Sequence, residues 1–217
     1  MRAASRQNQG RGAAPGLAAE NLTLVRGGRV LFERLSFAAA PGDFVDVRGP
    51  NGAGKTSLLR VLAGYMRPVE GEVRFEGETH FLEHRDGLKG ALDARAHVRF
   101  WAALLGGDEA TAEAALSRIG IAGDWPARIL SQGQARRLAL ARLLVAQRTL
   151  WLLDEPAAGL DTDGKTLLND LIAAHRSGGG IVITALHEPL RETPSQTIAL
   201  GAPSPLVGEG REGGRSR

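Results

Sequence analysis

Apolar and polar positions along the chain change their period several times, and each change marks an element. LTLV at 22–25, RVLF at 29–32 and LSFAA at 35–39 flank a glycine pair and predict short strands around a turn. DFVDVRG at 43–49 predicts a strand ending in glycine, KTSLLRVLAGY at 55–65 has helical spacing, and GEVRF at 71–75 returns to strand. From about 88 to 147 the spacing is helical, broken by turns at 106–107 and 123–126. TLWLLDE at 149–155 and IVITAL at 181–186 are unbroken apolar runs, the pattern of strands buried on both faces. Between them, 162–176 reads as an amphipathic helix with an acidic start and a His/Arg end. This order predicts an α/β fold, a sheet core with antiparallel N-terminal strands and a helical subdomain inserted at about 88–147. Residues 1–18 and 203–217 lack apolar periodicity and are expected to be a disordered leader and tail, leaving 19–202 as the folded domain.

Charge sharpens that division. The chain of 217 residues carries a net +3. Three of those charges fall on residues 1–18 and one on 203–217, so the segment between them is at −1. The basic excess belongs to the tails, which removes the bulk-charge argument for a nucleic-acid partner. There are no cysteines, which excludes disulfides, thiolate metal sites, a thiol nucleophile and covalent haem attachment by this chain. No apolar run approaches the roughly 18 residues of a membrane span. The leader has no apolar segment of secretory type, so a cytosolic location is expected; an organellar transit peptide is its alternative reading.

Three motifs carry chemistry. Gly49, Pro50, Asn51, Gly52, Ala53, Gly54, Lys55 and Thr56 fit G-x-x-x-x-G-K-[ST] between a predicted strand and a predicted helix. Glycines let successive N–H groups turn toward phosphate oxygens, and the helix that includes Ser57 adds its positive end. Lys55 is expected on the β- and γ-phosphates of ATP, and Thr56 on Mg²⁺. The run LWLLDE ends in Asp154 and Glu155, which places two carboxylates at the carboxyl edge of the sheet, where ligands of such folds bind. Asp154 is the expected Mg²⁺ residue. Glu155 is the expected group that orients and deprotonates the attacking water. Alone, this pair also reads as acids opening a helix. The third motif is Leu130-Ser131-Gln132-Gly133-Gln134, directly ahead of a helix. By itself it is a helix cap with Ser131 at the capping position.

Taken in order, these residues resemble the ATP-binding cassette family, whose signature LSGGQ stands here with Gln132 in place of its second glycine. The likeness covers about 20–200. It implies a phosphate-loop NTPase fold, with Ser131, Gly133 and Gln134 facing a γ-phosphate. It places Asp161 at the family's D-loop position and makes His187 the switch histidine. It implies a head-to-tail homodimer with ATP held between one copy's phosphate loop and the other's signature, coupled to integral membrane permease subunits.

Two departures stand out. Arg26 holds the place of the aromatic that stacks on adenine, with Phe32 near in sequence. His84 holds the place of the Q-loop glutamine, in the segment His80-Phe81-Leu82-Glu83-His84-Arg85-Asp86-Gly87-Leu88-Lys89. An imidazole there can accept from a metal-bound water, and its charge changes near pH 6.5. H-x-x-G-x-K in this loop, the short cassette and HEPL at 187–190 are similar to the branch that serves cytochrome c maturation, with Glu83 where that branch has glycine. That implies a peripheral location on the cytoplasmic face of the inner membrane, with haem handled by partners. His80, His97 and His175 read as structural or surface residues. A cassette for another small substrate stays open as the alternative. A soluble cassette protein would need a coiled coil or two cassettes, and a GTPase would need an NKxD loop; neither occurs.

Overall fold

A computed structural model of the chain describes residues 16–205. The elements run β1 (Leu17–Arg26), β2 (Arg29–Ala39), β3 (Phe44–Arg48), α1 (Lys55–Leu62), β4 (Glu70–Phe75), β5 (Thr79–Leu82), α2 (Ala94–Leu105), α3 (Glu109–Ile119), α4 (Gln132–Leu140), β6 (Leu150–Asp154), α5 (Thr162–Ser177), β7 (Ile181–Ala185), β8 (Gln196–Ala199) and β9 (Ser204–Pro205). The antiparallel and parallel strands occupy two sheets, ordered β4-β1-β2-β9 and β5-β6-β7-β3-β8. Every pairing in the second is parallel.

Pleating sorts the buried side chains into two cores, because successive residues of a strand face opposite sides. In β6, Leu150 and Leu152 pack with α1 and the antiparallel sheet, while Trp151 and Leu153 pack with α2 to α5. In β7, Ile181 and Ile183 follow the first group and Val182 the second. Both faces of the parallel sheet are therefore covered, which explains the unbroken apolar runs.

Several boundaries differ from expectation. Leu17 and Ala18 are not part of the leader: they open β1, with Leu17 fully buried against the sheet core. The fold extends past the expected end at 202, since Ser204 and Pro205 pair with Val30 and Arg29 of β2. The rest of the expected leader and tail, 1–15 and 206–217, lies outside the described residues. The two strands expected at 29–32 and 35–39 are one strand, irregular at Arg34, which has φ 48° and donates its N–H to Thr23 Oγ1. The helical block stops short of 147, because α4 ends at Leu140 and a single 3₁₀ turn closes it at Leu143.

Candidate functional site

Strand order explains how distant motifs meet. In the sequence β5-β6-β7-β3 of the parallel sheet, four neighbouring carboxyl ends deliver, in turn, His84, Asp154 with Glu155, His187, and the loop that starts at Gly49. That edge is where the open ends of parallel strands leave room for a ligand.

The loop from Gly49 to Thr56 wraps back onto the start of α1. Gly49 has no room for a side chain, since a Cβ there would lie 2.6 Å from the Leu200 carbonyl oxygen. Gly54 caps α1 with φ 99°, in the left-handed region that glycine takes without cost. The N–H groups of the first helical turn have no helical acceptor and carry the positive end of the helix dipole. Lys55 is buried, and its Nζ donates to the Gly49 carbonyl at 2.8 Å and the Pro50 carbonyl at 3.4 Å. Its ammonium thus closes the loop on itself. Pro50, Asn51, Gly52, Ala53, Gly54, Lys55, Thr56 and Ser57 line a hollow of about 280 Å³ together with Arg26, Leu31 and Glu155.

Beside it, Thr56 Oγ1 donates to Asp154 Oδ2 at 2.8 Å. Burial pushes the Asp154 carboxyl up and the neighbouring Glu155 charge adds to this, while the Thr56 hydrogen bond opposes it. Thr56, Asp154, Glu155, His84, Arg60 and Glu83 border a second hollow of about 520 Å³. A hydroxyl and a carboxylate are hard oxygen donors of the kind that would suit Mg²⁺.

Glu155 has φ 48°, outside the range a side chain favours. Its N–H continues the β6–β7 ladder by donating to the Ala185 carbonyl at 3.0 Å. Its carboxylate lies between two imidazoles, with His187 Nε2 at 2.8 Å and His84 Nδ1 at 3.5 Å. The structure therefore brings Glu155, His187 and His84 together.

The signature residues are elsewhere. Ser131 caps α4 by accepting from the Gln134 N–H, and Gln134 Oε1 accepts from the Ser131 N–H, a reciprocal capping box. Gly133 packs against Asp161, and Gln132 against Gly159. Asp161 caps α5 through the Gly164 N–H and pairs with Arg137 at 3.2 Å. Ser131, Gly133, Gln134 and Asp161 form one surface, and none of them lines either hollow of the phosphate loop.

Of the two residues weighed for the base, Arg26 is exposed and lines the loop hollow, whereas Phe32 is 7% exposed and packed in the core. Phe32 presents no free ring to a base. Two arginines outside the three motifs also belong to the site. Arg60 donates to Glu83 Oε1 at the rim, and Arg136 is buried beneath the site. Arg136 stands where the helical period demands an apolar residue, in line with Ala139, Leu140 and Leu143, and that mismatch is a signal the sequence carries.

The family model described as ABC transporter matches residues 32–158. The chain is 44% identical over 185 residues to the cytochrome c biogenesis ATP-binding export protein CcmA of Rhodopseudomonas palustris (strain BisB5), covering 80% of this chain and 92% of that protein. It is 42% identical over 200 residues to the protein of the same name from Paramagnetospirillum magneticum, covering 84% and 92%. A solved ATP-binding subunit of an ABC transporter superposes with TM-score 0.71 at 21% identity, over 79% of each chain, a likeness of fold. Motif order, fold and relatives agree that the chain belongs to the ABC transporter family, as one of its ATP-hydrolysing subunits.

Proposed function

We propose that this ATPase is the motor subunit of a membrane transporter serving cytochrome c biogenesis, held peripherally at the cytoplasmic face of the inner membrane. The observation that carries the reading is the carboxyl edge of the parallel sheet, where the phosphate loop, the Thr56–Asp154 pair and the histidine-bracketed Glu155 converge. The names of the relatives supply the transport context.

In this reading the loop N–H groups and the end of α1 receive the ATP phosphates, and Lys55 leaves the Gly49 carbonyl to join them. Thr56 and Asp154 would hold Mg²⁺, which supplies charge neutralisation on the phosphate oxygens when bound. Glu155 orients a water and takes its proton as general base. His187, now on the Glu155 carboxylate, fixes that side chain and can turn to the γ-phosphate. His84 stands on the other side of the same carboxylate, in the position the resemblance assigns to a glutamine. Ser131, Gly133 and Gln134 lie apart from the loop, which supports a head-to-tail pair in which each copy's signature meets the other's phosphates. Asp161 would stand at that junction.

Among the described residues no helix is long and apolar enough to cross a membrane; in this reading the permease is a partner, as the family resemblance implies. A surface suited to it lies on the helical subdomain. Leu92, Trp125 and Ile129 are 38%, 43% and 60% exposed. They sit on two segments tied by main-chain bonds, Ala94 to Trp125 and Ala127 to Leu92. With no cysteine in the chain, thioether attachment of haem would fall to partners.

The test is recovery of the Glu155→Gln chain from detergent-solubilised native membranes with ATP and Mg²⁺, with co-purified proteins identified by mass spectrometry. Cytochrome c maturation membrane proteins are the expected result. Recovery of an unrelated permease would overturn the transport assignment and leave the ATPase intact.

A further inference from the structure

Arg136 is 2% exposed, yet it is a cation with an extended set of partners. Its Nη1 donates to the carbonyls of Glu83 and His84 at 3.1 and 3.2 Å and to Asp86 Oδ1 at 2.8 Å. Its Nη2 donates to the carbonyls of Asp154 and Glu155 at 3.4 and 2.9 Å. One planar head therefore joins three pieces of chain: the second turn of α4, the loop that carries His84, and the end of β6 that carries Glu155. Burying a guanidinium is costly unless its charge is paired and its donors used. Here Asp86 supplies the charge and four main-chain oxygens supply acceptors to Nη1 and Nη2, while Nε is buried without a partner.

The contact with Glu155 bears on chemistry. The Glu155 backbone is held at φ 48° by its N–H on Ala185 and by its carbonyl, which accepts from both Ala158 N–H and Arg136. Such a conformation persists only when its surroundings over-determine it. The same guanidinium holds the His84 carbonyl, so one side chain ties together the Glu155 and His84 segments that the β5–β6 ladder sets side by side.

We infer that Arg136 is a positioning residue for ATP hydrolysis, which clamps Glu155 and the His84 loop in register and ties both to α4. This rests on the role of Glu155 proposed above. A lysine cannot replace it: an ammonium is a point donor that cannot span two loops as a planar fork does. Because α4 starts at Ser131, whatever docks on the signature bears on Glu155 through this clamp.

The experiment measures steady-state ATP turnover of the full-length chain, together with binding of a fluorescent ATP analogue. Arg136→Lys is expected to lower kcat by about 10²-fold, the cost of a displaced catalytic group, with KM and analogue affinity within about two-fold of wild type. Asp86→Asn keeps the Oδ1 acceptor but removes the charge that pairs the guanidinium, and is expected to lose about three-fold in turnover, whereas Asp86→Ala loses both and falls about ten-fold. If Arg136→Lys does not fold, Asp86→Ala against Asp86→Asn carries the test. Wild-type kcat in Arg136→Lys or in Asp86→Ala overturns the inference. So does a kcat loss matched by an equal loss of analogue binding, which would mean a disturbed phosphate loop. A wild-type chain with no turnover at all removes the functional reading and the inference together; an active wild type with indifferent variants removes only the inference.

Discussion

Two pairs of histidines occupy opposite ends of the same parallel sheet. At the carboxyl edge, His187 and His84 are half or more exposed and both face the Glu155 carboxylate. Toward the amino edge, His80 of β5 is 2% exposed, and burial, reinforced by Arg148 and Arg142, holds its ring down to about 4 against a bond to the Ala146 carbonyl. Its strand neighbour Trp151 stacks on His175 with centroids 3.9 Å apart, and burial lowers His175 as well. One residue type thus serves two ends. Where the parallel strands open, imidazoles meet a carboxylate and solvent; at the other, closed end of β5 His80 is sealed, and His175 lies partly buried on Trp151 beside a hollow of about 790 Å³, both held toward the neutral form by burial.

Removing the carboxylate is the strongest way to break this contrast. Glu155→Gln is expected to lower ATP turnover by about 10²-fold or more while nucleotide binding survives, because a general base is lost and the phosphate loop is not touched. Steady-state turnover beside equilibrium binding of an ATP analogue checks this, and unchanged turnover would remove Glu155 as the base. His187→Ala is expected to cost less, about ten-fold in kcat, since Glu155 stays but loses the partner at 2.8 Å. The same two measurements serve, and a loss larger than that of Glu155→Gln would reverse the assigned roles.

At the closed end the expected effect is on stability. Between about pH 6.5 and pH 4 the unfolded chain binds a proton at His80 that the folded chain refuses. Stability therefore falls as pH drops through that window, by on the order of 3 kcal/mol for this group, and is unaffected by it above the window. His80→Gln, which keeps an N–H donor for the Ala146 carbonyl, is expected to flatten that part of the curve without altering turnover at neutral pH. Denaturation midpoints of both chains across pH 4–7.5 give the difference directly; parallel curves would mean that His80 takes up its proton as readily in the folded chain as in the unfolded one.

The sequence made the open end far more legible than the closed one. A phosphate loop is contiguous, and its glycines, Lys55 and Thr56 need only the local strand–loop–helix context. Asp154 and Glu155 announce themselves as charges at the end of an apolar run. His84 and His187 could be set in order but not in space, because their meeting at Glu155 depends on the strand order β5-β6-β7. The short strands β5 and β8 were missed, since four residues cannot establish a period. Phe32 lies near Arg26 in sequence, but which face of β2 it occupies shows only once a core covers it. Arg136 is one arginine among many in composition, and only its place in the buried stripe of α4 marks it.

One question decides how the open end works as a machine, because the signature surface of Ser131, Gly133 and Gln134 lies apart from the loop of its own chain. The chain contains no cysteine, so introduced thiols report cleanly. Asn51→Cys in the loop and Gln132→Cys beside Ser131, both exposed positions, would be combined in the Glu155→Gln background and oxidised with and without ATP and Mg²⁺. A head-to-tail pair predicts a disulfide between copies that appears only with ATP and runs as a dimer on a non-reducing gel. A chain that stays monomeric in ATP, or that closes the disulfide within one copy, would contradict the two-copy site.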